Sequence, residues 1–206
     1  MPKELIDAYN RLAADYDKNR GLFDMSAVLN DFYHYLNIGE GHLLDLGCGA
    51  GEPGPGFFIR KGWNVTGVDF SEKMLDLAMK YQPEMHRILA DVTEVDFSSG
   101  QFDAITAIYS LFHIEREKHP LLFTNIYNWL KPGGKALFTY ACKEYTGKKE
   151  FSGYITFMAE KLYYSHTTPE KLYKMLETTG FDLLSADYRD IGGERFLWVT
   201  IEKPEK

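Results

Sequence analysis

One segment restricts the possible folds of this chain more than any other: a glycine-rich loop between an apolar run and a helical pattern. It reads Leu-Leu-Asp-Leu-Gly-Cys-Gly-Ala-Gly over residues 43–51 and is followed by Glu52, Pro53 and Gly54. Glycines let a backbone take positive φ angles and approach a ligand closely. In an open α/β sheet, the first strand-to-helix turn lies in the usual ligand crevice, outside the carboxyl ends of the strands. The segment therefore predicts an α/β sheet with a ligand site at this turn.

The remainder of the chain alternates between short apolar runs and helical patterns. Strands are predicted at 43–46, 65–68, 87–90, 102–108 and 136–140. Helices are predicted after a cap at Ser71, from about Pro120, and from Thr168 to about Gly180. Two further strands, 181–188 and 196–202, are joined only through Gly192-Gly193, and a connection this short permits only antiparallel pairing. We therefore predict a mostly parallel sheet, covered on both faces, that ends in an antiparallel pair.

Length, charge and cysteine content narrow the functional class. The chain has 206 residues, which suits one domain with a full-sized core. Its formal net charge is −7, and an acidic surface repels phosphate backbones, so we expect no nucleic-acid partner. The two cysteines form no disulfide framework or metal-ligand spacing, and no apolar run approaches the ~20 residues that span a membrane. These features predict a cytoplasmic protein with no metal and no membrane partner, of unspecified oligomeric state.

The glycine loop is compatible with two classes of ligand. Gly49, Gly51 and Gly54 fit the dinucleotide pattern of nicotinamide enzymes, and Asp69 lies about the right distance onward to contact a ribose. A pyrophosphate, however, requires free amide donors and a positive field at the helix N-terminus. The charges around the loop therefore separate the two classes.

Those charges favour a cationic ligand. Asp45 stands at the loop entrance and Glu52 at the helix start, while Pro53 removes an amide donor. Between Leu43 and Ile59 there is no lysine or arginine. S-adenosylmethionine carries an ammonium and a sulfonium group, so it suits this loop better than a pyrophosphate. We predict S-adenosylmethionine as the cofactor, with an NAD(P)-dependent oxidoreductase as the alternative.

Two acids follow the next predicted strands. Asp69 can accept hydrogen bonds from both ribose hydroxyls, and Phe70 can lie against the adenine face; alternatively, Asp69 is a helix N-terminal carboxylate stabilised by the helix dipole. Asp91 can accept a hydrogen bond from the adenine amino group, or it is merely an acid at the start of a loop.

Several motifs in register resemble class I S-adenosylmethionine-dependent methyltransferases of the small-molecule type. They are Leu44–Gly51, Gly67–Ser71 with Met74-Leu75 behind it, Phe102–Ile105 continuing to His113-Ile114, and Trp129–Gly134. The resemblance implies a Rossmann-like, doubly wound sheet of seven strands with the last strand antiparallel. It also implies methyl transfer from S-adenosylmethionine to a small-molecule acceptor.

The resemblance also implies the cofactor-binding residues. Asp45, Gly47 and Gly49 would lie near the methionine part, Asp69 would hold the ribose, and Asp91 with Val92 would border the adenine edge. Ile108 and Tyr109 would flank the methionine moiety. The complete predicted set is Tyr16, Asp45, Gly47, Gly49, Gly51, Asp69, Phe70, Met74, Asp91, Val92, Ile108 and Tyr109. Tyr16 belongs to a segment, 9–17, that resembles the N-terminal lid of such enzymes, and it would reach the cofactor carboxylate.

We expect one domain with four functional parts. Residues 1–40 form a helical lid, 41–142 the cofactor-binding core, 143–167 a substrate-side insertion, and 168–206 a helix followed by the strand pair. This division places the acceptor pocket between the core and the insertion.

Methyl transfer depends mainly on alignment of the reacting atoms and exclusion of water, and it needs a base only when the acceptor must lose a proton early. His113 and His166 are the two candidate bases, although each is also explained as a hydrogen-bonded packing histidine. Because binding motifs do not prove turnover, a non-catalytic S-adenosylmethionine-binding protein remains the third hypothesis.

Overall fold

The structure is a computed structural model that describes residues 3–19 and 23–205. Two helices come first, α1 (Lys3–Asn19) and α2 (Ser26–Leu36). The elements that follow are β1 (His42–Leu46), α3 (Gly54–Ile59), β2 (Asn64–Asp69), α4 (Glu72–Tyr81), β3 (His86–Leu89), β4 (Phe102–Ala107), α5 (His119–Trp129) and β5 (Leu130–Tyr140). The C-terminal part contains α6 (Lys143–Thr146), β6 (Phe151–Phe157), β7 (Glu160–His166), α7 (Pro169–Thr179), β8 (Asp182–Ile191) and β9 (Glu194–Glu202).

Seven strands form one sheet in the order β3-β2-β1-β4-β5-β9-β8. The first five strands in this order pair in parallel with one another. Strand β9 pairs antiparallel with both β5 and β8. The predicted seven-stranded Rossmann-like sheet with an antiparallel last strand is confirmed. Because β9 runs against β5, its first residues lie at the edge where the parallel strands end.

Alternating side chains along the strands supply a core to each face. Phe138 of β5 packs with α5 and α7 on one face, whereas its neighbour Leu137 packs with α1, α2 and α3 on the other. Successive side chains of a strand point to opposite faces, so one strand serves two cores. This arrangement leaves the carboxyl edge of the sheet as the place where loops from several strands meet.

The predicted helix boundaries hold closely. The Ser71 side chain caps α4 by accepting the Met74 N–H, and Thr168 caps α7 by accepting the Lys171 N–H. Helix α7 ends at Gly180, whose φ of 105° is in the left-handed region. The helix predicted from about Pro120 ends at Trp129, and the next residue, Leu130, is extended and begins β5, where it pairs with Phe102.

The insertion contains a feature that the sequence pattern did not reveal. Strands β6 and β7 form a separate antiparallel hairpin, joined at Met158 and Ala159, which both have positive φ. Two-residue hairpin turns with this backbone usually carry asparagine or glycine. A methionine and an alanine give no such signal, so the sequence does not predict a hairpin within the insertion. None of the described helices is long and apolar enough to cross a membrane.

Candidate functional site

The glycine loop after β1 adopts the conformation that its sequence requires. Gly47, Gly49 and Gly51 have φ angles of 86°, 50° and 77°. A Cβ at Gly47 would lie 2.5 Å from the Ser110 Cβ. The Gly47 and Cys48 N–H groups donate to the Val68 carbonyl, at 2.8 and 3.0 Å, which ties the loop to β2. Glycine is therefore required here both for backbone conformation and for lack of space.

A cleft at the carboxyl edge of the sheet brings most of the predicted residues together. Its lining consists of Tyr9, Gly47, Gly49, Asp69, Phe70, Met74, Val92, Ile108, Tyr109, Ser110 and His113. A smaller adjoining cavity lies against Asp45 and the loop and shares Gly47, Gly49, Ile108 and Tyr109 with the cleft. We call these two together the loop cleft. Among the described residues that line it, there is no lysine or arginine.

Asp69 has the geometry of both predicted roles. One carboxylate oxygen accepts the Gly49 N–H and the other accepts the Ser71 N–H, each at 2.8 Å. The residue is 7% exposed. Burial raises its pKa to about 6, against the opposing effect of these amide donors. The carboxylate thus fixes the loop and the start of α4 while presenting its remaining lone pairs to the loop cleft.

Asp45 is a second buried carboxylate beside the loop. It is 4% exposed and accepts a hydrogen bond of 2.7 Å from the Thr106 hydroxyl. Burial raises its pKa to about 7, and the nearby Asp69 charge adds to the rise. No ion pair to either aspartate is formed by the described residues. Two poorly compensated carboxylates favour a cationic ligand over a diphosphate.

Glu52 contributes less to this field than its position in the sequence suggested. Its carboxylate forms an ion pair with Arg60, with 2.7 Å between Nη1 and Oε1, and also accepts from Gln82. Arg60 stands one residue beyond the stretch that has no basic side chain. The negative character of the loop cleft is therefore due mainly to Asp45 and Asp69.

The other predicted cofactor residues divide into four groups. Phe70, Met74 and Val92 line the same side of the loop cleft as Asp69. Asp91 lies in a neighbouring cavity with His113 and Lys118, where one carboxylate oxygen accepts from the backbone and hydroxyl of Thr93. Gly51 is not among the lining residues and instead packs under Gln82. The side chain of Tyr16 lies outside the described residues.

The turn after β4 presents Ile108 and Tyr109 to the loop cleft through a strained backbone. Tyr109 has a φ of 54°, which is unusual for a residue with a Cβ. Its N–H donates to the Thr139 hydroxyl at 2.6 Å, and the adjacent Ser110 hydroxyl donates to the Leu46 carbonyl, also at 2.6 Å. Such strain is often maintained at functional sites by surrounding hydrogen bonds.

His113 borders the loop cleft in a defined protonation state. Its Nδ1 lies 2.7 Å from the Tyr163 carbonyl, which can only accept, so Nδ1 carries the proton. Burial lowers the pKa of His113 to about 4, so the ring is neutral near pH 7. Its Nε2 lies 2.6 Å from the Tyr9 hydroxyl and therefore accepts the Tyr9 proton.

The partner of His113 is a site residue that sequence reasoning did not select. Tyr9 is the first residue of the lid-like segment 9–17, and 104 residues separate it from His113. Its ring also contacts Phe70, with centroids 5.4 Å apart. The next residue, Asn10, accepts from the Ser71 hydroxyl at 2.8 Å, which anchors α1 over the start of α4. A conspicuous tyrosine in the lid-like segment was the available signal, but it did not indicate the histidine partner.

His166 occupies a different environment. It is fully buried, its Nδ1 lies 2.9 Å from the Thr167 carbonyl, and its Nε2 lies 2.8 Å from the Thr146 hydroxyl. These contacts connect the end of β7 to α6. His166 is not among the described residues that line the loop cleft or its neighbours.

A further cavity, which we call the aromatic cavity, adjoins the loop cleft and shares Tyr9 and Tyr109 with it. Its lining consists of Tyr9, Leu12, Phe23, Tyr109, Phe112, Phe157, Tyr164 and Glu194. Helix α1, the turn after β4, the β6–β7 hairpin and the start of β9 each supply part of this wall. In the part of the chain that the structure describes, no group of three or more histidine, cysteine, aspartate or glutamate side chains is placed to hold a metal ion.

Comparisons with known proteins agree with this geometry. A family model described as a methyltransferase domain matches residues 43–134. Phosphoethanolamine N-methyltransferase 1 of Triticum aestivum is 31% identical over 192 residues, which cover 88% of this chain and 36% of the relative. Phosphoethanolamine N-methyltransferase 3 of Arabidopsis thaliana is 30% identical over 184 residues, covering 85% and 36%. The chain therefore spans about a third of the length of these curated relatives.

A solved structure supports the same fold over the whole chain. The DhpI–SAH complex superposes with a TM-score of 0.71 at 18% identity and covers 100% of both chains. At this identity the likeness concerns the fold, and the placement of individual side chains depends on the contacts described above.

Proposed function

Because the chain belongs to the class I S-adenosylmethionine-dependent methyltransferases, we propose that it transfers a methyl group from S-adenosylmethionine to a small-molecule acceptor. The observation that carries this proposal is the loop cleft itself. It holds two buried carboxylates and no described lysine or arginine, and the Tyr9–His113 pair closes one side of it.

We assign one part of the cofactor to each group of residues around the loop cleft. We assign Asp45, Gly47 and Gly49 to the methionine part and Asp69 to the ribose. Phe70, Met74 and Val92 would enclose the adenine, and Asp91, in the adjoining cavity, its amino edge. Ile108 and Tyr109 would border the methionine from the other side, and Tyr16 stays a predicted contact to the cofactor carboxylate.

Each of the four parts of the chain would have its own role in methyl transfer. In this proposal residues 1–40 cover the site, 41–142 bind the cofactor, 143–167 enclose the acceptor, and 168–206 complete the sheet. The support is that the aromatic cavity receives side chains from the first, second and third parts and from Glu194 of the fourth. A cytoplasmic location stays a prediction.

Alignment and exclusion of water would supply most of the rate enhancement. S-adenosylmethionine, when bound, provides a methyl group for displacement by an acceptor lone pair. Tyr9 lies between the loop cleft and the aromatic cavity, where its oxygen can take a proton from an acceptor O–H or N–H. Its own proton would then pass to Nε2 of His113, whose Nδ1 keeps its proton and donates it to the Tyr163 carbonyl. We therefore assign the base role to His113 acting through Tyr9 and do not extend it to His166.

The test replaces Tyr9 by phenylalanine, which keeps the ring and removes the proton relay. With radiolabelled S-adenosylmethionine and a panel of small amines, phenols, alcohols and thiols, we expect the wild-type protein to label at least one acceptor. The Tyr9→Phe variant should lose turnover while its affinity for S-adenosylhomocysteine stays within about twofold. Cofactor binding without a labelled product from any acceptor would instead identify a non-catalytic binding protein.

A further inference from the structure

Among its described lining residues, the aromatic cavity has one carboxylate and no cationic side chain. Glu194 is the only charged side chain among the described lining residues. No lysine or arginine in the described part of the chain forms an ion pair with Glu194. Within the described part of the chain, its one hydrogen bond comes from the Tyr145 hydroxyl, which donates to Oε1 at 3.0 Å. Burial raises the pKa of Glu194, as expected for a carboxylate without a positive partner. The second carboxylate oxygen remains available to a ligand.

The position of Glu194 follows from the fold. It is the first residue of β9, directly after the Gly192-Gly193 turn. Strand β9 is antiparallel to β5, and Leu197 pairs with Tyr140 at the carboxyl end of β5. Glu194 therefore extends past that end, on the same edge as the glycine loop and the turn after β4.

The walls around this carboxylate are aromatic and closely packed. Phe112 stacks on Tyr164, with centroids 4.9 Å apart and an interplanar angle of 6°. Phe196 also stacks on Phe112, with ring centroids 5.0 Å apart. The same Phe196 ring packs edge-on against Tyr109, with centroids 5.3 Å apart. The hydroxyls of Tyr145 and Tyr164 are 3.3 Å apart. These contacts hold the rings in place before a ligand binds.

Aromatic faces and a carboxylate both attract cations. A desolvated ammonium is stabilised over a ring face because the face carries the negative part of the ring quadrupole. A phosphate in the same cavity would meet a negative carboxylate and no described positive side chain. The cavity thus selects for a positive group with an apolar body and against an anion.

We infer that the acceptor is a small amine without a phosphate group, bound as a cation by Glu194 and the aromatic walls, and methylated on its nitrogen. This inference rests on the proposed function. It separates the chain from the relatives whose names specify phosphoethanolamine, because the aromatic cavity offers that phosphate no described counter-charge.

The chemistry balances without a further reactant. The bound ammonium first loses one proton, with Tyr9 and His113 as the relay and water as the final acceptor, because the pKa of His113 is about 4. The nitrogen lone pair then forms a bond to the methyl carbon as the carbon–sulfur bond breaks, and that electron pair stays on sulfur as a neutral thioether. Positive charge therefore moves from sulfur to nitrogen, toward Glu194 and the rings, where fixed groups stabilise it in the transition state.

Calorimetry in the presence of saturating S-adenosylhomocysteine tests the inference without relying on turnover. The probes are ethanolamine, 2-phenylethylamine and N-methyl-2-phenylethylamine, each compared with the matching alcohol, together with phosphoethanolamine. We expect at least one amine to bind about tenfold or more tightly than its alcohol, and phosphoethanolamine not to bind. The Glu194→Gln variant keeps the shape and the acceptor for Tyr145, and should lose tenfold or more of the amine affinity.

Two controls separate the possible failures. Glu177→Gln, an exposed position on α7, should leave amine binding unchanged, and unchanged affinity for S-adenosylhomocysteine shows that Glu194→Gln is folded. Binding of phosphoethanolamine, absence of binding by every amine, or full amine affinity in Glu194→Gln would each overturn the inference. Labelled product from a neutral acceptor would overturn it too, yet leave the proposed methyl transfer intact.

Discussion

The two halves of the site are built in different ways. The loop cleft uses residues at the ends of neighbouring parallel strands, so its parts lie close in space because the strands pair in register. The aromatic cavity is assembled from α1, the turn after β4, the β6–β7 hairpin and the start of β9. The first half depends on backbone conformation and buried carboxylates, and the second on side chains that meet over long sequence separations. Short motifs can therefore reveal a cofactor site while leaving the acceptor site hidden.

The largest expected effect is a loss of turnover that leaves cofactor binding nearly unchanged. Replacing His113 by alanine removes the proton acceptor for Tyr9, and loss of such a group typically costs about 100- to 10,000-fold in turnover. Affinity for S-adenosylhomocysteine should stay within a few-fold, since the histidine lies at the rim of the loop cleft. Steady-state kinetics and calorimetry on the same preparation check this. His166→Ala, whose ring contacts Thr146 rather than the cleft, is the matched control, and a larger loss of turnover there would reverse the assignment.

Asp69→Ala is the corresponding change in the cofactor half. We expect it to weaken S-adenosylhomocysteine binding by about 1.5–3 kcal/mol, the scale of a lost charged hydrogen bond. Calorimetric titration measures this. Asp76→Ala, an exposed carboxylate on α4 paired with Lys73, serves as the control. Unchanged affinity in Asp69→Ala would contradict the ribose role.

The sequence alone predicts Asp69 as a site residue, but it does not distinguish His113 from His166. The glycine loop, Asp45 and Asp69 were predictable because strand ends, positive-φ glycines and acids recur at short spacing. The choice between His113 and His166 was not, since both have aromatic neighbours in the sequence and differ only in what faces their Nε2 atoms. The β6–β7 hairpin was hidden because Met158 and Ala159 replace the usual turn residues. Glu194 could not be chosen among thirty acids without the register of β9.

The pH dependence of stability tests the buried carboxylate of the cofactor half. The pKa of Asp45 is about 7 in the folded protein, against an ordinary value of 3.8. The folded state therefore binds more protons than the unfolded state between about pH 4 and 7, and this group makes the protein less stable as the pH rises through that window. Asp45→Asn keeps the acceptor for Thr106 and removes the charge.

Urea unfolding of the two proteins at pH 5 and pH 8 measures this effect. The free energy of unfolding of the wild type, relative to Asp45→Asn, should fall by about 2–3 kcal/mol between pH 5 and pH 8. Taking the difference cancels other titrating groups, including the neutral His113. A difference that does not change with pH would show that the pKa of Asp45 is not raised in the folded protein.

The smallest expected effect concerns the contact between the lid and the insertion. Arg11 of α1 donates to both carboxylate oxygens of Glu160, at 2.6 and 2.7 Å, but the pair is solvent-exposed. Exposed ion pairs contribute little because water screens them. Arg11→Ala should therefore change kcat/KM by less than about fivefold. A much larger loss in this assay, absent from the exposed control Lys174→Ala, would mean that the ion pair sets the closure of the acceptor half.

The most direct test of the account is a comparison of two ligands at the loop cleft. Calorimetric titration of the wild-type protein with S-adenosylhomocysteine and, separately, with NAD measures whether the two buried carboxylates exclude a diphosphate. The account predicts saturable binding of S-adenosylhomocysteine that weakens in Asp69→Ala, and no binding of NAD. Tight binding of NAD with none of S-adenosylhomocysteine would contradict it.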